Sequence, residues 1–263
     1  MQLATESVTK TFAGVHALEE VSVDVVKGEI VGVIGPNGSG KTTLVNVISG
    51  VIPPTSGTVA IGEDRWSARA SHRVARCGVA RTFQTIRLFE EMTVLENVEV
   101  AAASCSRRRS GGSFRTASRE AISMLGLEPY ADALATTLSY GLQRRVEMAR
   151  AVAGHPDFLL LDEPAAGLNE SESDDLLEML LGLREQIGCG VLIIDHDLRL
   201  IMRGTERIFV LNEGKLLTEG TPEEVRGDPR VVASYLGTDT ATAEAEMEAE
   251  RGAAGNDTTT ERS

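Results

Sequence analysis

The octapeptide GPNGSGKT, at residues 35–42, constrains the fold more than any other stretch of this sequence. It follows the apolar run EIVGVI and precedes a helical pattern that begins near Lys41. An apolar run of this kind is typical of a strand that is buried on both faces, as in a parallel sheet. A glycine-rich turn between such a strand and a helix directs backbone N–H groups inward and forms an anion-binding loop. The stretch therefore predicts an α/β domain with a phosphate site.

The residue types in this loop predict which side chains contact phosphate. The loop matches the pattern G-x-x-x-x-G-K-[ST], in which Lys41 reaches the β- and γ-phosphates and the Thr42 hydroxyl ligates Mg²⁺. A glycine-rich turn with a purely structural role would not need Lys and Thr together at its end. The predicted phosphate-binding residues are Gly35, Asn37, Gly38, Ser39, Gly40, Lys41, Thr42 and Thr43.

A second apolar run, FLLL, ends in two carboxylates. A buried strand here would bring Asp162 to its carboxyl end, where ligands bind in parallel sheets. Asp162 is predicted to hold Mg²⁺ through water, and Glu163 is predicted to polarise an attacking water as general base. The alternative, an acidic cap for the following helix, explains less, because the run follows a phosphate-binding loop.

Two more polar residues follow predicted strands. His196 comes after VLIID and is predicted to donate a hydrogen bond to a γ-phosphate. Gln84 comes after the strand-like GVARTF and is predicted to touch Mg²⁺ or water and so sense the γ-phosphate. The predicted catalytic residues are therefore Glu163, His196 and Gln84, and the predicted metal-binding residues are Thr42, Gln84 and Asp162.

The remaining pattern predicts how the chain is organised. Residues 2–26 alternate polar and apolar side chains, which indicates antiparallel strands. Helical patterns dominate residues 87–153, and a basic loop, SCSRRRSGGS, interrupts them. RIFVLNEGKLLTEG predicts a hairpin that turns at residues 212–214, and Thr221 and Asp228 are predicted to cap two short helices. Strands that alternate with helices indicate an α/β core.

Composition excludes some classes of function. The net charge of −13 argues against general nucleic-acid binding, which usually leaves a basic footprint on the protein. The sequence has no apolar run of the roughly 20 residues needed to span a bilayer. Three widely spaced cysteines give neither a metal motif nor a disulfide framework, which suits a reducing compartment. Residues 238–263 hold seven acidic and two basic side chains and are predicted to be a disordered tail.

Taken in their order along the chain, these motifs resemble those of the ATP-binding subunit of an ABC transporter. The resemblance covers nearly all of residues 3–237, which we interpret as one ATP-binding domain. It implies a P-loop NTPase core with a mostly parallel sheet, an antiparallel β-subdomain and a helical subdomain inserted at about residues 87–153. It also implies ATP and Mg²⁺ as cofactors, and two subunits that sandwich two ATP molecules head to tail.

The stretch LSYGLQRR, at residues 138–145, resembles the signature motif of that family, which is usually Leu-Ser-Gly-Gly-Gln. The resemblance implies that Ser139 and the backbone of Gly141 bind the γ-phosphate of the ATP held by the other subunit. Tyr140 replaces a glycine of the motif and Leu142 replaces its glutamine. The glutamine at the next position is turned by about 100° on a helix, so the replacement removes an amide from this contact.

Two further residues take roles from the resemblance. Phe12 sits where the family has an aromatic residue that stacks on adenine, although an aromatic residue on a strand face is the competing interpretation. Asn169, in DEPAAGLN, is expected at the interface between the two subunits.

Details of the motifs indicate a subfamily. ARTFQTIRLFEEMTVLENV, YGLQRRVEMAR and DEPAAGLN resemble the subunits that drive branched-chain amino-acid uptake. This implies a second, different ATPase chain, two transmembrane permease subunits and an extracytoplasmic binding protein, with this chain on the cytoplasmic face of the membrane. Three alternatives remain open: an importer of urea or short-chain amides, a lipopolysaccharide-type exporter, and a soluble ABC ATPase without a transport role.

Overall fold

A computed structural model describes residues 1–105 and 113–236 and contains two sheets. The first sheet is antiparallel and has the strand order β2-β1-β5-β6, with β3 also paired to β1. Its strands are β1 (Gln2–Phe12), β2 (Val15–Val21), β3 (Asp24–Val26), β5 (Ser56–Ile61) and β6 (Asp64–Trp66). The antiparallel strands predicted for residues 2–26 are therefore confirmed.

The second sheet forms the centre of the molecule and has the order β11-β10-β4-β9-β8-β7. All neighbours in it are parallel except β10 and β11. Its strands are β4 (Ile30–Ile34), β7 (Val79–Arg81), β8 (Phe158–Asp162), β9 (Gly190–Ile194), β10 (Arg207–Asn212) and β11 (Lys215–Gly220). Every residue of β4, β8 and β9 is buried, as their apolar sequences predict.

Helices cover this sheet and extend away from it. They are α1 (Lys41–Ile48), α2 (Ser71–Arg76), α3 (Val94–Cys105), α4 (Phe114–Met124), α5 (Tyr140–Val152), α6 (Glu170–Ile187), α7 (Leu198–Gly204), α8 (Pro222–Gly227) and α9 (Pro229–Leu236). Helices α3, α4 and α5 pack on one another and lie between β7 and β8 in the chain, so the helical insertion is present. Most of the predicted loop SCSRRRSGGS and the whole predicted tail lie outside the described residues.

The side chains of β4 show why its sequence is apolar throughout. Ile30 and Ile34 join a cluster formed with the helices of the insertion and with α6 and α7. Val31 and Val33 join a second cluster, on the other face, with α1 and the antiparallel sheet. Because successive strand residues point to opposite faces, a strand covered on both sides requires apolar residues at every position.

Local signals fix several element ends. The hairpin of β10 and β11 turns at Glu213 and Gly214, both with positive φ, which confirms the predicted turn. Thr221 caps α8 and forms a capping box with Glu224. Asn169 forms the same arrangement at the start of α6, so its side chain is used within this chain. Among the described helices, none is both long and apolar enough to cross a membrane.

Candidate nucleotide-binding site

The loop between β4 and α1 is packed so tightly that two of its residues must be glycine. Gly35 has φ of 149°, and a Cβ there would lie 2.0 Å from the carbonyl oxygen of Leu211. Gly40 has φ of 103°, and a Cβ there would lie 2.5 Å from the carbonyl oxygen of Ala17. The loop is therefore enclosed by the end of β10 on one side and by β2 on the other.

Lys41 is the first residue of α1, and its side chain contacts this loop. Its Nζ donates to the carbonyl oxygens of Gly35 at 2.6 Å and Pro36 at 2.9 Å. Burial lowers the pKa of Lys41, and the negative charges of Glu163 and Asp162 oppose that change. The ammonium group therefore lies within electrostatic range of both carboxylates predicted to act in the site.

Ser39 supplies a second polar group in the loop. Its hydroxyl is buried and, within residues 1–105 and 113–236, has no hydrogen-bond partner. The oxygen lies 2.7 Å from the position that a Cβ on Gly35 would take. A buried hydroxyl without a partner is costly, and a phosphate oxygen would satisfy it.

Asp162 is the last residue of β8 and is buried. Its Oδ2 accepts a hydrogen bond from Nη2 of Arg81 at 2.7 Å. Nη1 of Arg81 donates to Asn46 Oδ1, on α1, at 2.7 Å and to the Oγ of Ser49, the C-cap residue of α1, at 2.9 Å. Arg81 thus ties Asp162 to the helix that follows the phosphate loop. Sequence reasoning missed this residue, although a charged residue inside the strand-like GVARTF was a signal.

The three predicted catalytic residues lie together. Glu163 Oε2 accepts a hydrogen bond from Gln84 Nε2 at 2.6 Å and lies 3.9 Å from His196 Nδ1. They follow β8, β7 and β9, so parallel strands deliver all three to the same edge of the sheet. His196 is largely exposed, which leaves its ring accessible to a ligand.

Glu163 has an unusual backbone. Its φ of 51° is in the left-handed region, and its N–H donates to the carbonyl oxygen of Ile194 at 2.7 Å. For a residue other than glycine this conformation costs about 1–3 kcal/mol and persists only where surrounding contacts enforce it. Such strain is common at functional sites.

Asp195 is a second residue that sequence reasoning missed. Its carboxylate is buried and accepts hydrogen bonds from the N–H groups of Ala165 at 2.9 Å and Asp197 at 3.0 Å. Burial raises its pKa, and these hydrogen bonds oppose the rise. Its Oδ1 also lies 3.6 Å from His196 Nδ1. Asp195 therefore links the segment that follows Glu163 to the loop that carries His196.

The stretch LSYGLQRR forms the N-terminus of α5. Ser139 is the exposed N-cap residue, and its side chain makes no capping hydrogen bond. Leu142 packs against the core, and the side-chain amide of Gln143 donates to the carbonyl oxygen of Leu138 at 2.9 Å. Gln143 therefore does not replace the amide that is missing at position 142. Among the described residues, no hydrogen bond joins Ser139 or Gly141 to the phosphate loop.

Phe12 is the last residue of β1 and is 47% exposed. The ammonium group of Lys10 lies 5.0 Å from its ring centroid. The hairpin that carries Phe12 contacts the phosphate loop through Ala17, which lies beside Gly40. An exposed ring near the loop is compatible with stacking on a base, and this role stays a prediction.

Family models match two parts of the chain. The model of the ABC transporter family matches residues 18–166, which include the phosphate loop, Gln84, the signature stretch and the two carboxylates. A model described as branched-chain amino acid ATP-binding cassette transporter matches residues 215–241, near the C-terminus.

Curated relatives match over most of their length. The high-affinity branched-chain amino acid transport ATP-binding protein LivG of Salmonella typhimurium is 42% identical over 248 residues, which cover 89% of this chain and 97% of LivG. BraF of Pseudomonas aeruginosa, which has the same description, is 40% identical with the same coverage. The lipopolysaccharide export system ATP-binding protein LptB of Escherichia coli is 35% identical and covers 90% of this chain and 98% of LptB.

Solved structures share the fold. A crystal structure of the ADP conformation of an ATP-binding cassette from an ABC transporter superposes with a TM-score of 0.81 and is 32% identical. The match covers 90% of this chain and 99% of that chain, so the prediction of a P-loop NTPase fold is confirmed. This chain belongs to the ABC transporter family and is one of its ATP-binding cassettes.

Proposed function

We propose that this chain is the ATP-hydrolysing subunit of an ABC importer for branched-chain or other hydrophobic amino acids. The observation that carries the proposal is the match of residues 215–241 to the branched-chain family model. The cassette core alone does not distinguish transport systems, because a lipopolysaccharide export ATPase is also 35% identical. The relatives named for branched-chain amino-acid transport are 40–42% identical over nearly their full length, which supports the same substrate class.

The phosphate loop is suited to the triphosphate of ATP. Lys41 carries its positive charge inside the loop, and the buried hydroxyl of Ser39 provides a donor without a partner among the described residues. The loop also precedes the N-terminus of α1, where backbone N–H groups favour an anion. We assign the remaining loop residues, from Gly35 to Thr43, to the same phosphate contacts, and Phe12 to the adenine.

The donors near the phosphates are suited to Mg²⁺. Thr42 offers a hydroxyl, Asp162 a carboxylate and Gln84 an amide oxygen, and hard oxygen donors are what Mg²⁺ prefers. The described residues contain no cluster of three or more His, Cys, Asp or Glu side chains that could hold a metal alone. A site completed by phosphate oxygens and water is therefore expected. When bound, the ion would neutralise charge on the phosphates.

Hydrolysis depends in this proposal on Glu163. Its carboxylate accepts a proton from the attacking water, and the hydrogen bond from Gln84 at 2.6 Å orients it. His196 donates to the γ-phosphate, and Lys41 balances the charge that develops during transfer. A strained backbone at Glu163 fixes the carboxylate before the substrate arrives.

Two such subunits complete each other's sites. Ser139 and Gly141 lie at the exposed N-terminus of α5, where the helix dipole favours a phosphate, and α5 itself leaves the Ser139 hydroxyl unused. Asn169 caps α6 next to this surface. ATP binding then closes the pair, and loss of the γ-phosphate lets it open.

A groove beside the Gln84 segment is where we expect a membrane subunit to bind. It has a volume of about 360 Å³ and lies between the parallel sheet and the helical insertion, with Phe83, Arg87, Glu147 and Arg150 in its wall. The complex would contain a second, different ATPase chain, two transmembrane permease subunits and, on the far side, a substrate-binding protein. This chain would lie on the cytoplasmic face of the membrane and bind no nucleic acid.

Purification of the tagged chain from gently solubilised native membranes tests the proposal. We expect two multi-spanning proteins, a second ATPase and ATP turnover that rises when the binding protein is supplied with leucine, isoleucine or valine. If only urea or short amides stimulated ATP turnover, the substrates would be these compounds and not branched-chain amino acids. Recovery with lipopolysaccharide export components, or from the soluble fraction without membrane partners, would refute the importer assignment.

A further inference from the structure

Arg144, on α5, is buried although nothing in the proposed chemistry uses it. Its side chain is 2% exposed, and its guanidinium makes four hydrogen bonds. Nη1 donates to the carbonyl oxygen of Phe83 at 2.9 Å and to Glu147 Oε2 at 2.8 Å. Nη2 donates to the carbonyl oxygen of Gln84 at 2.9 Å and to the hydroxyl of Tyr140 at 3.1 Å. Arg144 therefore holds the backbone at Gln84 against α5.

Glu147 strengthens the same attachment from the next turn of α5. Its Oε1 accepts a hydrogen bond from the N–H of Phe83 at 3.3 Å. Burial raises the pKa of Glu147, and the adjacent Arg144 opposes the rise. A buried ion pair contributes little net stability compared with apolar residues of the same size. Its geometry here instead fixes both the N–H and the C=O of Phe83, next to Gln84.

Tyr140 extends this network to a third segment. Its hydroxyl donates to the carbonyl oxygen of Ala166 at 3.3 Å while it accepts from Arg144. Its ring packs on Gly167, where a Cβ would lie 3.5 Å from the ring. These residues follow Glu163 and lead into α6. The tyrosine that departs from the family's signature pattern thus bridges α5 and the segment beyond the proposed general base.

We propose that Arg144 and Tyr140 are positioning residues that join Gln84, Ser139 and the Ala166–Gly167 segment into one mechanical unit. Under the proposed function, on which this inference rests, Gln84 senses the γ-phosphate in this chain's own site. Ser139 faces the ATP of the partner subunit. A displacement of Gln84 is therefore transmitted through the guanidinium of Arg144 to the start of α5. The nucleotide bound in this chain's own site thereby affects the site that holds the partner's ATP.

The test compares Arg144→Lys with Arg145→Lys, the same substitution one position further along. Arg145 is half-exposed, and its only ion pair among the described residues is with Asp175, at 3.7 Å. Lysine keeps the charge at both positions but cannot make the forked contacts of a guanidinium. For Arg144→Lys we expect ATP turnover of the assembled complex to fall about tenfold, the size of a lost charge-assisted contact. Binding of a fluorescent ATP analogue to the full chain should stay within about twofold, because the phosphate loop does not contact Arg144. Arg145→Lys should change neither.

Tyr140→Phe keeps the inference testable if Arg144→Lys does not fold. Phenylalanine keeps the ring of Tyr140 and removes only its hydroxyl, so the packing of the ring stays intact. Tyr140 is also 45% exposed, which limits the effect on the core. We expect turnover to fall about threefold, the size of one neutral hydrogen bond, with ATP affinity unchanged. Tyr130→Phe is the matched control, because Tyr130 is 37% exposed and lines the same surface cavity as Ser139 and Arg144.

The outcomes separate this inference from the proposed function. If folded Arg144→Lys and Tyr140→Phe turn over ATP as fast as their controls, Arg144 and Tyr140 are not positioning residues. A loss of ATP affinity in parallel with turnover would also overturn the inference, since a general loosening of the fold affects both. If the unmodified complex showed no ATP turnover that rises with leucine, isoleucine or valine, the proposed function would fail, and the inference with it. If Glu163→Gln is inactive while both variants match their controls, only the inference fails.

Discussion

The phosphate loop at residues 35–42 and the signature stretch at residues 138–145 are both proposed to bind phosphate, but different forces build them. In the loop, backbone carbonyls of neighbouring strands lie 2.0–2.5 Å from where a Cβ would be at Gly35 and Gly40. In the signature stretch, Ser139 is exposed and Gly141 is half-buried, and buried side chains behind them hold the helix. A site made by close backbone approach accepts few substitutions. A site held from behind by side chains can accept Tyr140 and Leu142.

The largest effect expected of any substitution is at Glu163, which acts with the phosphate loop in the proposed function. Glu163→Gln keeps the shape of the side chain and its contact with Gln84 but removes the base, so turnover should fall about 100-fold or more. ATP binding should persist, because Lys41 and the loop are unchanged. Glu170→Gln is the control, since Glu170 is an exposed carboxylate in an ion pair with Arg199. Steady-state kinetics measure the turnover, and nucleotide titration measures the ATP binding. Full activity of Glu163→Gln would refute the general-base assignment.

The claim that close packing defines the loop is tested by Gly40→Ala against Gly28→Ala. Both glycines have positive φ, but a Cβ at Gly28 has nothing within 4 Å, while one at Gly40 meets the carbonyl of Ala17. Gly28→Ala should cost about 1–2 kcal/mol for the left-handed backbone alone. Gly40→Ala adds overpacking of about 1–3 kcal/mol and should also weaken ATP binding. Thermal and denaturant unfolding measure the difference, and equal losses of stability would mean that the packing argument is wrong.

Ser139→Ala tests the other side of the comparison. The hydroxyl is exposed and makes no capping hydrogen bond, so neither the melting temperature nor ATP binding by the separate chain should change. In the assembled complex, a lost charge-assisted hydrogen bond of about 1.5–3 kcal/mol corresponds to roughly 10- to 100-fold lower turnover. An unchanged rate in the complex would show that Ser139 does not contact the partner's ATP. A lowered melting temperature would show that it supports α5 instead.

The two regions also differ in how far the sequence predicts them. The glycines, Lys41, Asp162 and Glu163 follow from pattern and strand position, because parallel strands bring their carboxyl ends to one edge. The buried strands follow from their continuous apolar runs, and α6 follows from its helical periodicity. Arg81 and Asp195 were missed because their roles depend on partners distant in sequence, on α1 and on the Ala165 segment.

The short elements β6, α2 and α7 were also missed. Each has three to seven residues, too few for a periodic pattern to develop. The sequence likewise does not predict the contacts of Tyr140 and Arg144. It shows only that Tyr140 replaces a glycine of the signature motif. Their meaning depends on the approach of α5 to Gln84 and Ala166, which long-range packing determines.

Leu142→Gln has the smallest expected effect and sharpens the comparison most. Leu142 is half-buried and packs against the core cluster, so a polar side chain there should cost about 1 kcal/mol, or a few degrees of melting temperature. The substitution restores the amide that the signature pattern usually has, which should keep turnover of the assembled complex equal or raise it. Leu138→Gln is a suitable control, since Leu138 packs on the same cluster but has no proposed phosphate contact. If Leu142→Gln lost activity as severely as Ser139→Ala, packing at position 142 would itself shape the site. The signature stretch would then be as intolerant of substitution as the phosphate loop.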